Sequence, residues 1–162
     1  MKLKSLMLAS GATMAGVLTF SAPAVAAPPE PFTIVGFTIE EGAPLGSCAF
    51  DVRLDATGKA KTITTPTGKV IGVSANTTAT VTNLDPESDK SVQYSVNGTL
   101  TNTTDSDGNV TTKATGRNLL TDPDAGVVVT SGNFTFTFDE NGNLVEGLSG
   151  TGEITDVCAA LS

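Results

Sequence analysis

The acidic residues have the clearest capacity for chemistry, and most of the 17 aspartates and glutamates fall in or beside turns. The segment Asp105-Ser106-Asp107-Gly108-Asn109 places oxygen ligands at alternate positions, as the first half of an EF-hand calcium loop does. That loop also needs a bidentate glutamate at its twelfth position, which is Gly116 when counted from Asp105. The segment therefore indicates a tight hairpin turn rather than a calcium site. The same interpretation applies to the turns that contain Asp122, Asp124 and Asp139.

Catalytic sites built on histidine are excluded, because the chain has none. This removes Ser–His–Asp and Cys–His arrangements and the histidine-containing zinc sites. No Ser-x-x-Lys motif is present for a serine nucleophile activated by lysine. A carboxylate pair acting on a glycoside is the remaining enzymatic hypothesis, and it requires two acids in one cleft, at least one with a raised pKa. Since the acids lie in turns, where solvation explains them, the sequence predicts no catalytic residue, no cofactor and no metal ion.

The two cysteines, Cys48 and Cys158, are predicted to form a disulfide, as a cysteine pair in an exported chain usually does. The bridge would close a loop of about 110 residues, which the chain-entropy model values at roughly 4–5 kcal/mol. A reactive thiol pair is disfavoured, because the two cysteines are far apart and form no Cys-x-x-Cys motif. The predicted bridge brings the start and the end of the folded chain together.

The N-terminal segment has the pattern of a cleaved secretory signal. Lys2 and Lys4 precede an uncharged apolar run from Ser5 to Phe20, and Ala24-Val25-Ala26 fits a small-residue cleavage site. The apolar run is short for a membrane span, which takes roughly 20 residues. Cleavage after Ala26 and secretion are therefore predicted, which leaves 136 of the 162 residues.

The charge of the chain restricts its partners. The net charge is −8, and loss of Lys2 and Lys4 with the signal leaves seven basic residues against 17 acidic ones, or −10. Nucleic acid and anionic membrane surfaces both attract positive charge, so neither is expected as a partner. The processed chain is not expected to be embedded in a membrane. The predicted partner is a protein or a small molecule that the sequence does not identify.

The mature chain is predicted to be all-β, because it is rich in Thr, Val and Gly and has short turns of Gly, Pro, Asn and Asp. Residues 27–31 are predicted to be a flexible leader and residues 32–162 a single domain. Short turns favour antiparallel neighbours, so we expect about nine strands in a meander. The end-to-end disulfide favours an up-and-down, barrel-like closure, and a two-sheet β-sandwich is the alternative. A turn is predicted at Ala56-Thr57-Gly58. Asn97-Gly98 is either a two-residue turn or a bulge within one long strand, and the bulge is favoured because a turn would leave a very short strand before it.

The last hairpin carries an aromatic stripe. Phe134, Phe136 and Phe138 alternate with polar residues, which places the three rings on one face of a strand. A two-residue turn at Asn141-Gly142 would set Phe138 opposite Val145, and this register is favoured because Asn-Gly is the strongest short hairpin signal. A five-residue loop over residues 139–143 would instead set Phe138 opposite Leu144.

Several turn and cysteine features follow one another along the mature chain. They are Cys48 at the start of a candidate strand, Val81-Thr82-Asn83-Leu84 with Lys90-Ser91-Val92, Asp107-Gly108 before Thr115-Gly116-Arg117, Gly150-Thr151-Gly152, and Asp156-Val157-Cys158. In this combination the chain resembles small exported β-rich proteins of actinobacteria to which no function is assigned. The resemblance covers most of the mature chain. It implies an exported compartment and a β fold, and it implies no activity.

The function that these observations favour is binding or surface interaction by a secreted, disulfide-bridged domain. A second hypothesis is a lipocalin-like barrel that carries a small apolar ligand in its mouth. An interior packed solid with Val, Ile and Phe would reject that carrier. The carboxylate-based hydrolase is the third and least favoured hypothesis.

Overall fold

The computed structural model describes residues 27–88 and 90–162, so the predicted signal segment, residues 1–26, lies outside the described residues. Within these ranges the fold consists of eight strands and one short helix. The strands are β1 (Glu30–Ile39), β2 (Val52–Thr64), β3 (Val70–Asn83), β4 (Ser91–Ser95), β5 (Gly98–Thr104), β6 (Val110–Asp122), β7 (Gly126–Phe138) and β8 (Leu144–Asp156), and the helix is α1 (Val157–Leu161). The first strand begins two residues earlier than the sequence predicted.

All eight strands belong to one antiparallel sheet, which confirms the all-β meander. Its order is β1-β2-β3-β5-β6-β7-β8, and β4 pairs with β3 beside β5. In the part of the chain that the structure describes, β1 pairs only with β2 and β8 pairs only with β7. The sheet therefore has two free edges, and the predicted barrel-like closure is wrong.

The predicted disulfide is present, and its position explains why the barrel prediction failed. Cys48 and Cys158 are bonded, with 5.2 Å between their Cα atoms. Cys48 lies in the connection between β1 and β2, and Cys158 lies in α1, beyond the end of β8. The bridge thus ties α1 to the β1–β2 connection and joins neither of the two edge strands to the other. The two cysteines can therefore lie close together in space while the sheet remains open.

The helix α1 closes one end of the main core. Asp156 caps it by accepting a hydrogen bond from the Ala159 N–H at 2.9 Å. Two of its side chains, Val157 and Leu161, are fully buried. They pack in one cluster with Cys48, Val52, Val81, Val127 and Val129. Valines of β2 and β3 thereby meet valines of β7, although three and two strands, respectively, separate them from β7 in the sheet, so the sheet curls back on itself.

The curled sheet splits into two layers near this core. Among residues 27–88 and 90–162, β4 pairs with β3 alone, whereas β6 pairs with β5 as far as Gly116 and continues beside β7. The gap between β4 and β6 is crossed by Arg117, whose guanidinium lies 5.8 Å from the Tyr94 ring centre. This end has the two-layer packing expected of a sandwich, but its strands remain part of one sheet.

A row of glycines crosses four adjacent strands where the sheet bends. Gly98 pairs with Gly116, Gly116 pairs with Gly132, and Gly132 pairs with Gly152. Gly116 and Gly132 have φ angles of 83° and 147°, which side chains rarely adopt. A Cβ at Gly116 would lie 3.0 Å from the Asn97 carbonyl oxygen. The missing side chains let the backbones approach closely, as glycine kinks do in strongly curved sheets.

Strand β3 carries the bend onward through a bulge. The pairing of β3 with β2 shifts between Thr57 and Lys59, and Asn76 in the same region has φ 49°. The turn predicted at Ala56-Thr57-Gly58 is wrong, because β2 runs through it without interruption. The single long strand predicted through Asn97-Gly98 is wrong, because the chain forms two strands there, β4 and β5. No hairpin forms at Asn97-Gly98, since β4 and β5 both pair antiparallel with β3.

The last hairpin differs from the favoured register. Phe138 pairs with Leu144, so the connection is the five-residue loop, and the Asn141-Gly142 two-residue turn is wrong. Two irregularities then move the pairing, which places Phe134 opposite Gly150. The Asp139 carboxylate accepts hydrogen bonds from the N–H groups of Asn141 at 2.9 Å and Asn143 at 2.8 Å, which holds the longer loop. Local side-chain hydrogen bonding therefore outweighs the Asn-Gly turn preference.

Candidate functional site

An apolar cleft of about 380 Å³ lies on the inner side of the curled sheet. One wall comes from β1 and β2, with Phe32, Ile34 and Leu54, and the opposite wall includes Leu119 of β6. Leu100 of β5 lies at the end away from the main core. The cleft is therefore built by five strands that only the curl of the sheet brings together.

Small residues create the space in the cleft. Ile34 pairs with Ala56, Ala56 with Ala79, and Ala79 with Tyr94, so two alanines separate two large side chains along one row. In another row, Gly72 of β3 lies opposite Leu100. Larger residues at these positions would fill the cleft with protein atoms, as happens in an ordinary close-packed interior.

The cleft leaves apolar surface in contact with solvent. Ile34 is 40% exposed, and Phe32, Leu54, Leu100 and Leu119 are all partly exposed. Sites for small molecules are typically concave, mainly apolar and about 300–1,000 Å³ in volume. A ligand that covered these side chains would gain the hydrophobic free energy that folding leaves unused, roughly 25 cal/mol for each Å² buried.

Two of the polar residues that line the cleft, Ser74 and Thr77, maintain its structure. The Ser74 hydroxyl donates to the Val96 carbonyl at 2.9 Å and accepts from the Gly98 N–H at 3.1 Å. The Thr77 N–H donates to Asn97 Oδ1 at 3.0 Å. These bonds fix the β3 bulge against the junction of β4 and β5, so both groups are already engaged.

Asn118 is the polar residue best placed to orient a ligand. It is buried, and its Nδ2 donates to the Thr115 carbonyl at 3.2 Å. Its Oδ1 stands directly over the Gly98 Cα and accepts no hydrogen bond from the residues that the structure describes. A hydroxyl or N–H on an otherwise apolar ligand would complete the hydrogen bonding of this oxygen.

The cleft does not contain the two-carboxylate arrangement that a glycosidase needs, since none of its lining residues is acidic. Of the acids that the sequence singled out, Asp105, Asp124 and Asp139 lie in turns, whereas Asp122 is the buried last residue of β6. Asp122 accepts hydrogen bonds from the N–H groups of Asp124 at 3.0 Å and Ala125 at 2.9 Å. Within residues 27–88 and 90–162, no group of three or more acidic or cysteine side chains could hold a metal ion.

The turn that resembled a calcium loop is a hydrogen-bonded hairpin turn. Asp105 accepts from the N–H groups of Asp107 and Asn109, both at 2.9 Å, and from Asn109 Nδ2 at 3.0 Å. These bonds lower the pKa of Asp105, and the bond from the Asn109 side chain contributes most to that lowering. The equivalent bonds from Asn143 lower the pKa of Asp139. A general acid needs a raised pKa, so both carboxylates have the opposite character.

The sequence did not predict the cleft, although one signal was present. Ala56, Gly72 and Ala79 are small residues at inward-facing strand positions, where a solid core would place Val, Ile or Leu. Ala56 lies in the turn predicted at Ala56-Thr57-Gly58, which the structure does not contain, and that prediction hid the alternation of β2. No helix in the described ranges is long and apolar enough to cross a membrane.

The cysteines contribute to structure in this region rather than to chemistry. Both are consumed in the disulfide, and Cys158 Sγ accepts a hydrogen bond from the Val127 N–H at 3.4 Å. A disulfide indicates an oxidising compartment.

Comparison of the chain with family models, curated proteins and solved structures finds no match.

Proposed function

We propose that this protein is an exported binding protein whose cleft takes a small, mainly apolar molecule. The observation that carries the proposal is the apolar cleft of about 380 Å³, with Ile34 left 40% exposed inside it. A buried cavity of about 150 Å³ accommodates one benzene ring, so this cleft has room for roughly two rings or a short alkyl chain. The ligand is expected to carry one hydrogen-bond donor for Asn118 Oδ1.

Export is supported by the disulfide and by the predicted signal segment. The resemblance to small exported actinobacterial proteins agrees with it. The ligand site differs from the lipocalin-like mouth considered for a closed barrel, because the sheet is open and the cleft lies along its inner side. Binding in such a cleft leaves part of the ligand accessible, which suits capture and release outside the cell.

The cleft can be tested by filling it. At Gly72 an added Cβ would have 4.0 Å to its nearest neighbour, the Leu100 carbonyl oxygen, so Gly72→Ile inserts a side chain without a backbone clash. Gly147→Ile is the matched control, since a Cβ there meets nothing within 4 Å and the residue lies on β8, away from the cleft. Both changes add the same β-branched side chain to a strand.

Titration with the neutral fluorescent probe N-phenyl-1-naphthylamine measures the effect. We expect the wild-type protein to bind the probe, Gly72→Ile to weaken binding at least tenfold, and Gly147→Ile to leave it within twofold. Absence of wild-type binding up to about 100 µM, weaker than the affinity of useful carriers, would refute the proposal. Equal effects of the two substitutions would also refute it, because the probe would then bind elsewhere.

A further inference from the structure

The edge strand β1 exposes an apolar row beside unpaired backbone groups. Among the described residues it pairs with β2 on one side and with no strand on the other. Val35 is 80% exposed and Phe37 is 56% exposed. No charged residue lies between Glu30 and Glu40. Charged side chains are one of the features that protect sheet edges from pairing, and β1 has none over nine consecutive residues.

The opposite edge of the sheet is protected. Strand β8 contains Glu146, Glu153 and Asp156, and two β8 strands brought together would bring like charges together. The two edges therefore differ in the partner that they permit. A second copy of this strongly acidic chain can approach β1 without bringing like charges opposite one another along the strand.

We propose that β1 pairs antiparallel with β1 of a second copy, which forms a two-fold symmetric dimer with one continuous sheet. Strand addition at a free edge supplies main-chain hydrogen bonds, and the side chains determine which partner fits. A two-fold interface must be complementary to itself, so the side-chain pattern of β1 has to match its own reverse.

A bulge gives β1 this self-complementary pattern. Ile34 pairs with Ala56 and Phe37 with Leu54, so β1 has one extra residue between them. Because of that residue, Phe32 and Ile34 before the bulge lie on the same inner face as Phe37 and Ile39 after it. In a regular strand an odd and an even position would lie on opposite faces.

Asp55 of β2 holds the bulge in place. Its Oδ1 accepts a hydrogen bond from the Gly36 N–H at 2.8 Å, and its Oδ2 accepts one from Arg53 Nε at 2.9 Å. The Gly36 bond is the main reason that the pKa of Asp55 is lowered. The bulge is thus a fixed feature of the edge.

The dimer register follows from placing the two-fold axis between Val35 and Gly36. Ile34 then lies opposite the partner's Phe37, and Phe32 lies opposite the partner's Ile39. Val35 lies opposite the partner's Gly36, where a Cβ would meet nothing within 4 Å, so there is room for the valine. Every inward-facing apolar residue of β1 therefore meets another.

The same register brings Glu30 opposite the partner's Glu41 at each end of the interface. These carboxylates repel each other, and they lie at the periphery, where salt screens the repulsion. The dimer should consequently tighten as the salt concentration rises.

Sedimentation velocity on the oxidised, exported protein tests the proposal. We expect a dimer at about 10 µM, within the range common for interfaces of ordinary size. Val35→Lys should raise the dimer dissociation constant at least tenfold, because lysine on an edge opposes strand pairing. Val145→Lys on β8 is the control. Val145 is likewise an exposed valine on an edge strand, 56% exposed against 80% for Val35, and its replacement should change the constant less than twofold.

Three results would overturn the proposal. A wild-type monomer at all concentrations and salt levels would show that β1 remains unpaired. A greater effect of Val145→Lys than of Val35→Lys would place the contact on β8. Species larger than a dimer would indicate head-to-tail pairing of β1 with β8. Circular dichroism and thiol titration establish that both variants are folded, independently of ligand binding.

Discussion

Replacement of Gly132 by alanine should strongly destabilise the fold, because this residue lies in the glycine row where the sheet bends. Its φ is 147°, and a Cβ would collide with the Thr151 carbonyl oxygen and lie 2.8 Å from the Gly152 Cα. Both obstacles are backbone atoms of the paired strand, which cannot move without breaking the β7–β8 ladder. The substitution therefore forces either strain or loss of local pairing.

The expected magnitude follows from two costs and one gain. A non-glycine residue held in a sparsely populated backbone region costs about 1–3 kcal/mol. Overpacking by one methyl group costs about another 1–3 kcal/mol. Replacing glycine reduces the entropy of the unfolded chain, which returns about 0.4–1 kcal/mol. Gly132→Ala should thus lower the free energy of unfolding by about 1–6 kcal/mol, a large part of the 5–15 kcal/mol that ordinary domains possess.

Urea denaturation followed by far-ultraviolet circular dichroism measures this change. Gly147→Ala on β8 is the matched control, because that glycine has neither a left-handed φ nor any atom within 4 Å of an added Cβ. The control should be neutral or more stable than wild type by up to about 1 kcal/mol. A loss below about 1 kcal/mol for Gly132→Ala, or equal losses for both variants, would show that the glycine row does not set the bend.

Two further predictions concern the disulfide and the acidic turns. Exported protein recovered without reductant should begin at Ala27 and contain no free thiol, and two free thiols would contradict the disulfide. The double variant C48S/C158S should have a free energy of unfolding about 4–5 kcal/mol lower than that of the wild type, because the bridge spans 110 residues. Asp105 and Asp139 have lowered pKa values, so the unfolded chain binds more protons than the folded chain below about pH 4, and stability should fall as the pH drops through the folded pKa values. In urea titrations between pH 5 and pH 2 (bracketing the ordinary aspartate pKa of about 3.9), D105N/D139N should show a shallower decline than wild type, and parallel declines would exclude these two carboxylates as its source.

The sequence predicted the strand content and the cysteine pairing because both depend on local or chemical rules. Alternation, turn residues and an even number of cysteines in an exported chain are all visible without tertiary contacts. The predicted strand boundaries were wrong where residues that favour turns lie inside a continuous strand. Gly58 and Asn76 are turn formers by type, yet the first adjoins Thr77 of the β3 bulge and the second supplies the positive φ of that bulge. Both strands continue through these residues because their neighbours supply the hydrogen bonds that a turn would otherwise satisfy.

The helix and the cleft were missed for different reasons. A helix of five residues is too short to show a period of 3.6, and its only local signal was Asp156 at the cap position. The cleft depends on which strands the curl brings together, and Leu119 of β6 lines the same cleft as β1 only because the sheet bends. Sequence spacing cannot reveal a cleft that the first and the sixth strand share.

The bend itself can be explained by comparing the free-energy cost of the glycines with the free energy gained by burying valines. Glycine within a strand costs roughly 0.5–1 kcal/mol, so the four glycines of the row together cost about 2–4 kcal/mol relative to alanine. A flat sheet would avoid that cost, but its inner face would leave Val52, Val81, Val127 and Val129 in solvent, whereas the curled sheet buries all four almost completely. Burying each valine contributes about 1.5–3 kcal/mol, or about 6–12 kcal/mol for the four. The curl is therefore favoured even after the glycine cost, and the cleft arises beside the bend because Ala56, Ala79 and Gly72 do not fill the space that the curl encloses.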